Sequence, residues 1–168
     1  MTERGLLPEF SDRVQQQLAT ITGPGAEDDP AIHDLTALLW CSIDNDDSQD
    51  LDQLTVAETL PNGNVRLWVA IADVDALVPR DTPIDVHAST NTTSVYTSAR
   101  IFPMLPERLS TDLTSLNAHQ DRLAVVTEMV FNPDASLAGA TIYRAKVRNH
   151  AKLAYDAGTH RLVLEKCD

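Results

Sequence analysis

The spacing of apolar residues changes along the chain, and each change marks an element. In PEFSDRVQQQLATI (8–21), Phe10, Val14, Leu18 and Ile21 recur at helical intervals, which predicts an amphipathic helix. TGPGAEDDP (22–30) has two Gly, two Pro and three acids, and reads as a linker or exposed loop. From Leu54 the period shortens. LTVAE (54–58), the turn PNGN (61–64) and VRLWVAIA (65–72) predict a hairpin, with Asn62-Gly63 supplying the positive φ of a tight turn. DTPIDVHAST (81–90) carries helix-start signals: Thr82 to cap, Pro83 in the first turn, and Asp85 three residues after Thr82. LAVVTEMVF (123–131), NPDAS (132–136) and GATIYRAKVR (139–148) predict a second hairpin. KLAYDAGTHRLVLEKCD (152–168) reads as a helix interrupted by Gly158. The sum is an α+β fold, an antiparallel β-sheet with peripheral helices, preceded over residues 1–33 by a helix and a linker.

Composition narrows the function. With 168 residues and 43% hydrophobic positions, the chain can bury a real core and is not a disordered segment. No apolar run approaches the roughly 18 residues that span a bilayer. MTERGLLPEF lacks a basic region followed by an apolar one, so no secretory signal is expected and the chain is placed in the cytoplasm. Cys41 and Cys167 form no motif and are expected to be free thiols. The net charge of −12 argues against a generic nucleic-acid binder, which is usually basic. A metal-dependent nuclease is less affected, because cations neutralise its carboxylates.

The acids concentrate in DNDDSQDLDQ (44–53), with Asp44, Asp46, Asp47, Asp50 and Asp52 and no Lys or Arg. One reading is a solvated acidic loop. An EF-hand calcium loop fails, because Gln49 occupies the position that needs Gly and Thr55 the position of the bidentate Glu. The third reading is a magnesium site for phosphoryl transfer. A strand CSID ends at Asp44, and Asp50 and Asp52 share one face if the chain there is extended. Nothing matches a Ser-His-Asp or Cys-His arrangement, a Walker loop or a Rossmann motif, so no small-molecule organic cofactor is expected. The five histidines lack metal-ligand spacing.

SIDNDDSQDLDQLTVAE (42–58) resembles the signature of the ribonuclease II / RNB exoribonucleases. The resemblance continues in order through VAIADVDALVPRDTPID (69–85), TSVYTSARIFPMLPERLSTDLTSLNAHQDRLAV (93–125) and AKLAYD (151–156). It implies that residues 34–168 form the N-terminal part of an RNB-like catalytic domain. The implied activity is magnesium-dependent 3′-to-5′ hydrolysis of single-stranded RNA to nucleoside 5′-monophosphates. By position, Asp44, Asp50 and Asp52 match the first three metal-organising acids, with Asp50 and Asp52 serving catalysis. The fourth acid falls at Gln53, an uncharged oxygen donor that should weaken one metal site. Asp46 and Asp47 either compensate or are exposed loop charges. Tyr96 matches an aromatic that stacks on a base near the RNA 3′ end, against the simpler reading of a core tyrosine.

Arg100, and with it Arg108 and Arg122, offers phosphate contacts or pairs with local acids. Asp73 either orients a neighbour in the site or serves structure. Asn117 and Asp121 read as loop and cap residues, and Trp40 and Trp68 as core. The resemblance covers about the first half of the family's catalytic domain, without the later catalytic arginine or the β-barrel RNA-binding domains. Two alternatives therefore stand beside the exoribonuclease: a catalytically inactive RNB fragment or remnant that binds RNA or metal weakly, and an acidic interaction module.

Overall fold

The computed structural model describes residues 2–155 and 162–164. A helix α1 (Asp12–Thr20) precedes strands β1 (His33–Asp34), β2 (Trp40–Asp44), β3 (Gln53–Thr59) and β4 (Val65–Ala72). Helix α2 (Pro83–Asn91), a short ribbon of β5 (Val95–Tyr96) and β6 (Ile101–Phe102), and one π-helical turn (Leu109–Leu113) follow. The long strands β7 (Asp121–Phe131) and β8 (Leu137–Tyr155) come next, then β9 (Leu162–Leu164). Cys167 and Gly158 lie outside the described residues.

Both expected hairpins form. β3 and β4 pair from Gln53↔Ile71 to Thr59↔Val65, and β7 and β8 pair from Asp121↔Arg148 to Phe131↔Leu137. In the first turn only Gly63 takes a positive φ (83°). Asn62 contributes differently, its Oδ1 accepting from the Asn64 N–H at 3.1 Å.

The sheet is mixed rather than purely antiparallel. β8 is 19 residues long. Up to Arg148 it pairs with β7, and from Asn149 its other edge accepts β2, which runs parallel to it. The path β8–β2–β3–β4–β7 thus returns to β8, with the β2–β3 step resting on the single pair Cys41↔Thr55. The pairing of β8 with β2 also overturns the C-terminal helix. Residues 151–155 continue β8, and β9 adds antiparallel to it. The open edge presented by β2 outweighs the weak local helical pattern, as tertiary context does for short segments.

Side chains alternate along each strand, so one face of the sheet supplies the core. Leu54, Ala70 and Val126 stand in register across β3, β4 and β7 and are 1%, 0% and 0% exposed. Trp40, Trp68, Ala124, Ala145 and Val147 complete this cluster, with Leu51 and Leu116 sealing one end. Both tryptophans are therefore core residues.

A second cluster forms outside the sheet. Val14 of α1 packs with Ile84 of α2, Val78, Leu109 and Leu113, and Phe10, Leu18 and Ile21 lie against them. The periodic face of α1 is thereby buried. Gln17 of α1 also places its Oε1 2.9 Å from the Ile84 N–H, capping the start of α2 from another helix. Thr82 sits at the N-cap position, but its hydroxyl donates to the Pro79 carbonyl instead (2.7 Å). Replacing Gln17 by Ala should cost about 1 kcal/mol, the usual value of a lost cap, read as a fall in the urea midpoint at unchanged slope.

Residues 22–30 have no regular structure, yet they are held down. A Cβ on Gly25 would meet the Ala76 Cβ at 3.0 Å. Glu27 receives both terminal nitrogens of Arg144 at 2.7 Å, and the Arg144 Nε donates to Asp73 at 2.7 Å. Asp73 is 7% exposed, which makes it a structural ion-pair partner in this fold.

Candidate active site

The acidic segment connects β2 to β3. Asp44 is the last residue of β2, and Leu51 turns inward to 3% exposure. Flanking a buried residue, Asp50 and Asp52 are both left exposed, as the alternation argument expects. Both line a cleft of about 820 Å³ between the acidic segment and the chain from β5 through the π-helical turn. Asp47 and Glu107 also line it, and no Lys or Arg does among the described residues.

The charges couple. Burial, then the charges of Asp52 and Asp50, push the Asp44 carboxyl above its ordinary value, while Lys152 opposes them. Lys152, on β8, donates to the Asp46 carbonyl at 2.6 Å. Asp46 thus contributes a backbone acceptor, and Asp47 faces the cleft as an exposed loop charge.

The buried end of the segment is fastened from the chain beyond the π-helical turn. The Leu51 N–H donates to the Ser115 hydroxyl at 3.0 Å, and the Ser115 hydroxyl reaches the Gln49 carbonyl at 2.9 Å. The Leu116 N–H donates to the Leu51 carbonyl at 2.7 Å. Asn149 ties this corner to β2, its amide donating to the Ser42 hydroxyl (3.1 Å) and the Leu116 carbonyl (3.0 Å). Sequence reasoning missed Ser115, Asn149 and Lys152. The quoted blocks contain Ser115 and Lys152, but nothing local in them marks a partner 64 or 106 residues away.

The other candidates divide. Tyr96 lines the cleft and is 68% exposed, so it is not a core tyrosine. It pairs across the ribbon with Ile101, also exposed, and the two form an apolar lip. Arg100 does not line the cleft. It grips Glu9 through two bonds of 2.8 and 3.2 Å and lies over the Phe102 ring. Gln53 opens β3 in register with Ile71 and is exposed, and it too is absent from the cleft wall.

Arg122 is buried and donates to the carbonyls of Asp121 and Asp112 and to the Gln120 side chain, so it staples a turn. Arg108 reaches the Leu18 carbonyl at 3.5 Å. Asn117 bridges Ser115 and the Thr111 carbonyl, and Asp121 pairs with Arg148 at 2.6 Å.

A metal is tested by the donors themselves. The oxygens of Asp44, Asp50 and Asp52 are hard donors whose mutual repulsion a divalent cation relieves. Among the described residues no three His, Cys, Asp or Glu side chains stand together as a group that could hold a metal ion. A hard cation here would rest on one or two carboxylates, with water and substrate phosphate supplying the rest.

Comparison with known proteins gives the family. Residues 15–166 match the RNB domain, and the chain belongs to that family. It is 41% identical over 150 residues to Ribonuclease R of Escherichia coli (strain K12), and 40% identical over 131 residues to Exoribonuclease 2 of Sodalis glossinidius (strain morsitans). These alignments cover 89% and 77% of this chain but 18% and 20% of the relatives. The chain therefore spans about a fifth of the length of the curated relatives it matches. Mycoplasma genitalium RNase R in complex with ribose methylated single-stranded RNA superposes with a TM-score of 0.82 at 32% identity, over 93% of this chain and 24% of that one. Yeast Ssd1, a pseudonuclease, shares the fold alone (TM-score 0.70, 11% identity, 81% of this chain and 17% of that one).

Proposed function

We propose that this chain carries the acid-bearing part of a 3′-to-5′ exoribonuclease that hydrolyses single-stranded RNA to nucleoside 5′-monophosphates with magnesium. The carrying observation is the cleft: Asp50 and Asp52 line it, Asp44 feels both charges, and no cationic side chain among the described residues shares the wall. Such a surface repels a phosphodiester unless a cation intervenes. RNA binding by Ribonuclease R of M. genitalium supports the substrate class.

Asp50 and Asp52, which line the cleft, would hold the cation, and Asp44 would join them only by closing on them. When bound, the cation would neutralise the phosphate and supply a hydroxide nucleophile near neutral pH. The protein's own contributions are fixed acids on a fastened segment and a lip, Tyr96 and Ile101, on which a base can stack. Stacking on an aromatic ring is typically worth about 1–3 kcal/mol. No described helix is long and apolar enough to cross a membrane, and we place the chain in the cytoplasm.

The test is a 5′-labelled single-stranded RNA incubated with the protein and Mg²⁺. A ladder descending from the 3′ end, absent in chelator, is expected. Internal cuts, or shortening that persists in chelator, would contradict the reading. Gln53 favours the second reading, an RNB fold that binds RNA or metal weakly without hydrolysis. If Gln53 supplies an uncharged fourth donor, Gln53→Asp should tighten Mg²⁺ binding several-fold by calorimetry, since an ionised donor attracts the cation more strongly. Unchanged or weaker binding would place Gln53 outside the donor set.

A further inference from the structure

We propose that Ser115 is a positioning residue for Asp50 and Asp52, an inference that rests on their reading as cation-holding acids. The two aspartates bracket Leu51, and among the described residues the bonds that fix Leu51 come from two consecutive residues. The Ser115 hydroxyl accepts from the Leu51 N–H (3.0 Å), and the Leu116 N–H donates to the Leu51 carbonyl (2.7 Å). The single Ser115 proton faces the Gln49 carbonyl at 2.9 Å, with the Asn117 Oδ1 farther away at 3.2 Å. Asp50 thus lies between two residues that bond the same hydroxyl. Asp52 follows directly on the fastened residue, and its own carbonyl accepts from the Ala72 N–H at 2.9 Å.

The clamp sits in a dry corner. Ser115 and Leu116 are each 1% exposed and Leu51 is 3% exposed, so water does not replace a lost bond there without rearrangement. The carboxylates themselves are exposed and share the cleft with Asp47 and Glu107, so like charges repel across it. Without the clamp, that repulsion would spread the segment. Ser115 therefore holds against the charges until a cation offsets them. A site built on a loop needs such support to keep its donors in place. Ser115 touches neither cation nor RNA in this role.

The experiment compares wild type, Ser115→Ala, Ser115→Cys and Asp52→Asn in two measurements: amide hydrogen exchange without metal, and Mg²⁺ affinity by calorimetry on protein verified as folded. In Ser115→Ala the Leu51 and Leu116 amides should exchange about tenfold faster, with β4 and β7 unchanged, and Mg²⁺ should bind about tenfold more weakly. Ser115→Cys, which keeps a weak donor, should fall between, and it carries the test if Ser115→Ala does not fold. Unchanged exchange at Leu51, or a uniform rise across the sheet with Mg²⁺ affinity intact, overturns the proposal and leaves Ser115 a packing residue. Wild type and Asp52→Asn that bind Mg²⁺ equally would overturn the cation reading instead, while a local exchange effect in Ser115→Ala still supports positioning.

Discussion

Asp52→Asn is expected to remove magnesium-dependent RNA shortening, by a factor of about 10²–10³ or more, while the fold survives. The side chain is exposed and makes no hydrogen bond among those described, and the fold uses only its backbone carbonyl, which the substitution preserves. The carboxylate's work is electrostatic. The structure also sets a sign for stability. Asp44 is raised above its ordinary value of 3.8 by burial, Asp52 and Asp50. A carboxyl raised in the folded state favours folding below the unfolded value and loses that contribution as pH rises through the folded one. At neutral pH the ionised Asp44 is therefore a cost, and Asp52→Asn should relieve part of it. The variant is expected to be slightly more stable than wild type in metal-free buffer, and less stabilised by added Mg²⁺. Equal RNA shortening by both proteins, or a variant that unfolds, would contradict this assignment.

Trp40→Ala is expected to destabilise the protein by about 3–5 kcal/mol, a large fraction of the 5–15 kcal/mol typical of a domain. Trp40 is fully buried, packs in the main cluster, and donates its indole N–H to the Leu35 carbonyl at 2.9 Å. It also stands where the register of β2 against β8 shifts, between Trp40 and Cys41, four residues before Asp44. Its loss would leave a cavity, orphan a carbonyl, and loosen the strand that delivers the first acid. Urea unfolding with and without Mg²⁺ measures both effects. A loss below about 1 kcal/mol would mean that β2 is held mainly by its ladder.

The local elements were legible because their signals are local. Phe10, Val14, Leu18 and Ile21 mark the buried stripe of α1, and the alternation around Gly63 and Asn132–Ser136 marks both hairpins. Asp50 and Asp52 share the cleft because Leu51 between them is buried, which a period of two contains. What escaped depends on distant partners. The parallel pairing of β2 with β8 joins residues more than a hundred positions apart, so nothing in AKLAY announces a strand there. Arg100 offers a phosphate contact or an ion pair in the sequence, and its pair with Glu9, 91 residues earlier, shows only in the fold. Ser115 reads as one residue of a motif until its hydroxyl is found against Leu51. Asp73 likewise shows its role only once Arg144 and Glu27 are placed.

Where a paramagnetic cation settles shows whether these acids hold metal. Mn²⁺ added at substoichiometric levels to isotopically labelled protein broadens the amide resonances near it. Broadening is expected to begin at residues 44–52 and at Ser115, which is bonded to that segment, to be reversed by Mg²⁺ and to weaken in Asp52→Asn. Broadening that begins instead at the exposed acids of residues 27–29, or spreads evenly over the acidic surface, would contradict a cation site in this cleft.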